Sequence, residues 1–150
     1  MNWVIKTFEE LTIAELYAIL HLRSEVFVVE QHCNYQDMDY ADQQAIHVQG
    51  YTEQGNLGVY TRVFAAGVKF DEASIGRVVS AAAVRGTGAG RLLMQKSIAV
   101  LEELYGKVPI RIGAQLYLKK FYESLGFEQK SGIYLEDNIE HIEMVRAGAV

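Results

Sequence analysis

Three glycines fall within five positions in Arg85-Gly86-Thr87-Gly88-Ala89-Gly90, between a stretch that reads as strand and one that reads as helix. Ile75-Gly76-Arg77-Val78-Val79-Ser80 is β-branched enough for a strand, and Gly76 within it can admit a bulge. After the turn, Leu92, Leu93, Ile98, Val100, Leu101 and Leu104 predict a helix that stops at Gly106, with Pro109 just beyond. A strand that hands over to a helix through glycines brings backbone N–H groups together with no Cβ in the way. The first helical turn adds unpaired N–H groups and the positive end of the helix dipole. This combination makes a phosphate or pyrophosphate site, to which Arg85 or Arg91 can add a cationic contact.

Two common phosphate-binding patterns do not fit. A P-loop needs Gly-Lys-Ser/Thr, where this chain has Gly90-Arg91-Leu92. A dinucleotide fingerprint needs glycines at 86, 88 and 91, but position 91 is Arg, and the acidic pair Glu102 and Glu103 falls on the helix rather than at a strand end. A glycine turn with no ligand at all stays open at this point.

The remaining chain supplies the frame. Trp3 to Phe8 reads as a strand, and Thr12 with Glu15 has capping-box spacing at the start of a helix. Ile13, Leu16, Leu20 and Phe27 recur at helical spacing, with Glu15, Arg23 and Glu25 off that face. Asn34 to Gln44, with Asp37, Asp39 and Asp42, reads as a polar loop. Ile46 to Tyr51 and Leu57 to Phe64 flank a turn and predict a hairpin. Ile110 to Ala114 predicts a strand and Leu116 to Leu125 a helix closed by Gly126. Lys130 to Leu135 and His141 to Arg146 predict strands around the turn Glu136-Asp137-Asn138. The order β-α-β-β-β-α-β-α-β-β implies one α/β domain over residues 1–150 with a mixed sheet.

Composition narrows the function classes. With 150 residues, half of them hydrophobic, the chain can bury a core without a disulfide or metal staple. Its net charge of −5 and scattered basic residues give no electrostatic footprint for nucleic acid. Acidity favours a cationic partner such as an amine, though it serves solubility as well. Cys33 is the only cysteine, which excludes an intrachain disulfide and a cysteine-based zinc site, and no metal is expected. The N-terminal residues show no signal pattern and no apolar run reaches the ~20 residues of a membrane span, so the expected compartment is the cytoplasm.

Arg85-x-x-Gly88-x-Gly90 after a strand resembles the acyl-CoA-binding motif of the GNAT family of N-acetyltransferases. Some 25 residues on, Gln115-Leu116-Tyr117-Leu118-Lys119-Lys120-Phe121-Tyr122-Glu123-Ser124-Leu125-Gly126-Phe127 resembles that family's second motif, an amide residue, an aromatic-Tyr pair and then Gly-Phe. Leu22 to Gln31, Ile75 to Val79 and Glu136 to Ile142 resemble the ElaA-like branch.

The resemblance implies the GNAT fold, a mostly antiparallel mixed sheet flanked by helices, and acetyl transfer from acetyl-CoA to an amine. It implies that the backbone of Gly86, Thr87, Gly88, Ala89, Gly90 and Arg91 holds the pyrophosphate, with Arg85 in the motif. Val78, Val79 and Ser80 would pair with the pantetheine arm, and Gln115 would take the place of an Asn that bonds the same arm. Tyr122 matches the Tyr that protonates the departing thiolate, against a plain packing role beside Phe121. The general base is not fixed by the resemblance; Glu30, Asp39, His47, His141 and water all remain candidates. The expected partner is a small-molecule or peptide amine, with neither nucleic acid nor membrane, and a second copy of the chain is admitted as a partner. The rival reading is an acyl-CoA sensor or interaction module without turnover.

Overall fold

The computed structural model describes residues 1–149. Its first helix, α1 (Ile13–Arg23), starts at the expected capping box: the Glu15 N–H donates to Thr12 Oγ1 at 3.1 Å and the Thr12 N–H to Glu15 Oε1 at 2.8 Å. α1 runs directly into a π-helical turn at Ser24–Glu30. The buried residues along this unit are Ile19, Leu22, Arg23 and Val26, whereas Ile13 is 89% exposed. The face expected from Ile13, Leu16, Leu20 and Phe27 is therefore displaced, and Arg23, placed off it by sequence, is wholly buried. Apolar spacing could not anticipate this, because Arg23 is drawn inward by carboxylates far along the chain.

One sheet organises the rest. The strands are β1 (Asn2–Thr7), β2 (Ile46–Tyr51), β3 (Leu57–Phe64), β4 (Ala73–Ser80), β5 (Ile110–Gln115), β6 (Phe127–Gln129), β7 (Tyr134–Glu136) and β8 (Ile139–Arg146). They lie in the order β1-β2-β3-β4-β5-β8-β6, with β7 also on β8. Only β4 and β5 run parallel, joined by the long helix α2 (Ala89–Tyr105), as a parallel connection requires. The β2–β3 hairpin has the expected limits. β6 is a strand the sequence reading missed, and Lys130 to Leu135 contributes only the short β7. Leu116 to Leu125 becomes a 3-10 turn at Leu116–Leu118 and the short helix α3 (Lys119–Glu123). Asp137 and Asn138 both have positive φ, 50° and 64°, as a tight two-residue turn between β7 and β8 demands.

The two faces of the sheet differ in kind. Val59 and Val63 of β3 point with Ile112 and Ile142 into an apolar core closed by Leu93, Met94 and Leu101 of α2. The alternate residues Tyr60 and Arg62, with His47 and Gln49 of β2, are equally buried on the face that α1 covers. Their charge is met by the acidic loop. Arg23 Nε donates to Asp37 Oδ2 at 2.8 Å and Nη1 to Asp42 Oδ1 at 2.7 Å. Arg62 donates to the same Asp42 oxygen at 2.9 Å and bidentately to Asp39 at 2.7 and 2.6 Å. His47 Nε2 donates to the Asp42 carbonyl at 2.9 Å, which leaves Nδ1 to accept from the Tyr60 hydroxyl at 2.6 Å. Asn34 to Ala41 is irregular, as expected, whereas Asp42–Gln44 forms a 3-10 turn, and the aspartates of the segment are structural ligands for arginines.

Burial alone raises the Asp42 carboxyl, yet hydrogen bonds from Arg23 and Arg62 hold it below its ordinary value. Its contribution to stability is thus present above the unfolded Asp value, ~3.9, and is lost as pH falls through the lower folded value. Asp42→Ala removes one of two carboxylate partners from each of two buried guanidinium groups, which keep Asp37 and Asp39, and is expected to destabilise the fold by ~1–3 kcal/mol at pH 7. Urea denaturation checks this. The gap between wild type and variant should narrow as pH drops below ~4.

Candidate active site

The cleft originates in a mismatch between neighbouring strands. Tyr60 pairs with Val79 and Arg62 with Gly76, so β4 carries one residue more than β3 across this interval. The bulge was expected at Gly76, but the residue in the left-handed region is Arg77, φ 50°. Asp37 secures it: Arg77 Nε donates to Asp37 Oδ1 at 2.8 Å and Nη2 to the Asp37 carbonyl at 2.9 Å. Beyond Ala73↔Ile110 and Ser74↔Arg111, β4 and β5 no longer pair. From there the strands diverge around a cleft of about 890 Å³ that Val78, Val79 and Ser80 line on one side and Ile112, Gly113 and Gln115 on the other. An open strand edge of this kind can accept an extended ligand as an added strand.

The glycine turn sits at one end of the cleft. Gly86 and Gly88 have φ of 77° and 83°, and Gly88 is the N-cap of α2 with no side chain capping it. The first N–H groups of α2 are therefore left for a ligand, because Leu92 is the first to reach back, to the Gly88 carbonyl at 3.3 Å. A Cβ built at Gly86 or Gly88 meets nothing within 4 Å, and one at Gly90 meets only Ser80 Oγ at 3.9 Å. The space against these backbones is free, which fits a pyrophosphate. Gly86, Gly88, Ala89, Gly90 and Arg91 line the cleft; Thr87 does not, and its hydroxyl donates to the Val84 carbonyl at 2.5 Å. Arg91 stays exposed beside the turn, with its guanidinium over the Phe121 ring and a bond to Ser124 Oγ.

Arg85 is engaged by the protein. It pairs with both carboxylate oxygens of Glu30, the Nη2 bond being 2.8 Å, and donates to the Ser80 carbonyl at 3.2 Å. It thereby ties the glycine turn to the end of the α1 extension. The same hydrogen bonds hold the Glu30 carboxyl below its ordinary value.

Tyr122 lies on α3, with its ring edge-on to Phe121 and Phe127 at 5.1 and 6.0 Å. It is buried yet lines the cleft. The fully shielded side-chain atoms without a partner among the described residues are Gln49 Nε2 and Arg62 Nε, so the Tyr122 hydroxyl is not sealed in. Burial, with Tyr117 nearby, pushes its phenol well above the usual range, so it carries its proton throughout the physiological range. Gln115, at the end of β5, extends its amide toward Gln31 Oε1 at 3.4 Å.

The four base candidates separate on geometry. His47 is wholly buried, has both ring nitrogens engaged and does not line the cleft, which removes it; burial also lowers its pKa. Asp39 reaches the cleft, but hydrogen bonds from Arg62 hold its carboxyl far below the carboxylate range, and Lys69 adds to them. Glu30 is taken by Arg85. His141 lines the cleft, with Nδ1 2.7 Å from the Ile139 carbonyl and Nε2 3.4 Å from Glu136 Oε2.

Gln31, Cys33, Tyr35, Arg77 and Glu136 also line the cleft, and sequence reasoning gave them no role. The available signal was the turn Glu136-Asp137-Asn138, whose tightness fixes what lies on either side of it. Among the described residues, no helix is long and apolar enough to cross a membrane.

A splayed parallel strand pair, a glycine turn and Tyr122 thus border one cleft, on a fold of the acyltransferase class. The chain belongs to the acetyltransferase (GNAT) domain family, whose model matches residues 10–147. It is similar to protein ElaA of Escherichia coli, 37% identical over 148 residues covering 97% of this chain and 96% of that protein. A UPF0039 protein of Synechocystis is 37% identical over 145 residues, covering 97% and 94%. Among crystal structures, an acyl-CoA N-acyltransferase from Pseudomonas aeruginosa superposes with a TM-score of 0.92 at 40% identity, covering 98% of this chain and 100% of that one. The ElaA crystal structure gives a TM-score of 0.90 with 97% and 98% covered. The mixed, mostly antiparallel sheet expected from the resemblance is the sheet found.

The glycine geometry yields a test. Gly90 lies inside α2 with an ordinary φ, so Gly90→Val should change stability by less than ~1 kcal/mol. Acetyl-CoA binding, measured by calorimetry, should nevertheless weaken by roughly tenfold or more because the branched side chain fills the free space. Gly88→Val should lose affinity and also ~1–2 kcal/mol of stability, since φ is 83° there.

Proposed function

We propose that this chain moves an acetyl group from acetyl-CoA to the primary amine of a small molecule or peptide. The observation that carries the reading is the shared cleft: the open edge of β4, the free N–H groups of α2 and the Tyr122 ring all border one space. When bound, acetyl-CoA supplies the thioester.

In this reading the N–H groups of Gly86 and of Gly88 to Arg91 hold the pyrophosphate, and Arg91 adds charge at the rim. Val78 to Ser80 align the pantetheine arm along β4, with Gln115 bonding it from β5. A backbone N–H at the bulge polarises the thioester carbonyl, a donor fixed in place before the reaction begins. Tyr122 gives its proton to the sulfur as the C–S bond breaks. The apolar setting that keeps the phenol protonated also excludes water from the leaving group. Arg85 acts through position, holding the glycine turn against Glu30.

Tyr122→Phe removes one oxygen and leaves the ring packing intact. With a panel of primary amines and free CoA as the readout, acetyl-CoA affinity should stay within a few-fold while kcat falls by roughly 10²–10⁴, toward the lower end because a thiolate is a fair leaving group. The loss should appear equally in kcat/KM. Tight acetyl-CoA binding with no CoA release from any amine would identify a sensor, and an unaffected kcat under rate-limiting chemistry would return Tyr122 to packing.

A further inference from the structure

We infer that His141 is the general base that takes the proton of the acceptor amine, and that Glu136 is its positioning residue. This inference rests on the acetyl-transfer reading above and names the group which that reading leaves open.

The local geometry begins with the two-residue turn at Asp137 and Asn138. It forces Glu136 and Ile139 into register as partners, with Tyr134 opposite His141. The His141 ring then lies stacked on Tyr134, centroids 5.9 Å apart at 26°. A carbonyl can only accept, so the 2.7 Å contact to Ile139 requires Nδ1 to carry the ring hydrogen. The lone pair is left on Nε2, which is a base site. The Glu136 carboxylate, 3.4 Å from Nε2, stands ready to pair with the ring once it is protonated.

Placement in the cleft completes the argument. His141 pairs with Gln115 across β5 and β8, so the ring sits where β4 and β5 have diverged. On β8, Ile142 and Met144 enter the apolar core, which puts His141 on the opposite, polar face of the sheet. Tyr122 belongs to the apolar core. Acid and base thus approach the cleft from opposite faces. The charged and titratable groups around His141 are Glu136 and Tyr134 from β7, Asp137 at the turn and Glu143 two residues along β8, which Arg111 occupies at 2.8 Å. Cys33, after α1, has its thiol against the Asp137 carbonyl and holds the turn from above.

The step balances. An acceptor that arrives as an ammonium ion first gives one proton to His141 Nε2. The neutral nitrogen then bonds to the thioester carbonyl carbon, and the C–S bond breaks with the Tyr122 proton going to sulfur. The second N–H proton returns through solvent to the Tyr122 oxygen, and solvent removes the proton from His141. Nothing is oxidised or reduced.

The test compares two small nucleophiles at pH 7, with CoA release as the readout. Ethylamine is protonated there and needs a base, whereas hydroxylamine is already neutral. The wild-type protein should release CoA with both. For H141Q, kcat/KM with ethylamine should fall by roughly 10²–10⁴ while the hydroxylamine value stays within about tenfold, which also shows that the variant is folded. E136Q should lose less with ethylamine than H141Q and, like it, leave the hydroxylamine value within about tenfold, a split between nucleophiles that a general loss of structure would not give. Equal losses on both nucleophiles, or none, overturn the base assignment alone. Absence of CoA release by wild type with either nucleophile overturns the transfer reading, and the base assignment with it.

Discussion

Everything around the cleft depends on the buried cluster in which Asp37, Asp39 and Asp42 meet Arg23, Arg62 and Arg77. Such clusters add little net stability, since desolvating the charges offsets most of their attraction. Removing one member leaves the others uncompensated, so what the cluster enforces is position. It binds α1, β3 and the acidic loop into one unit. It also reaches the bulge: Arg77 sits in a backbone region that costs about 1–2 kcal/mol for an L residue. Two hydrogen bonds to Asp37, one of them to its carboxylate, offset that strain. The bulge lies where β4 has left β5, and Arg77 and Asp39 line the cleft, so the cluster is continuous with the cleft wall.

This dependence explains what the sequence disclosed and what it hid. Local signals were legible: the Thr12–Glu15 capping box, the β2–β3 hairpin and the glycine turn at the head of α2 each lie within a few residues of chain. The non-local ones were not. Arg23 and Asp42 are nineteen positions apart, and Arg77 and Asp37 forty; nothing in either segment reveals its partner. Arg23 therefore reads as a solvated helix residue, and three aspartates in a loop read as surface. β6 escaped because three residues are too few to carry an alternation, and it is held as a strand by β8 alone.

The candidate site divides the same way. The residues expected to hold a cofactor come from one contiguous stretch and a second motif, and Val78 to Ser80, Gly86, Gly88 to Arg91, Gln115 and Tyr122 share one cleft. Arg85 is the instructive exception, because its pairing with Glu30 links the motif to a helix fifty-five residues earlier. Another part of the cleft wall comes from Gln31, Cys33, Tyr35, Glu136 and His141, residues that lie far apart in the chain and meet only after folding. Of the four bases that residue chemistry allowed, packing alone separates His141 from His47.

The contrast between the faces of the sheet bears on the chemistry. Acyl transfer to an amine moves protons in two directions, off the nitrogen and onto the sulfur, so acid and base must keep their protonation states a short distance apart. Desolvation alone keeps a phenol protonated and an imidazole neutral; what differs between these two groups is the polarity of the face each lies on. Here the sheet separates them: Tyr122 is embedded with Phe121 and Phe127 on the apolar side, where desolvation keeps the phenol protonated. His141 stands on the polar side, its ring bonded to the Ile139 carbonyl and faced by the Glu136 carboxylate. A period-two strand delivers such a division with no special device, because successive residues already point into different media. The polar face that the arginine–aspartate cluster requires is thus also the face that carries His141 to the cleft, and both arise from the alternation of one sheet.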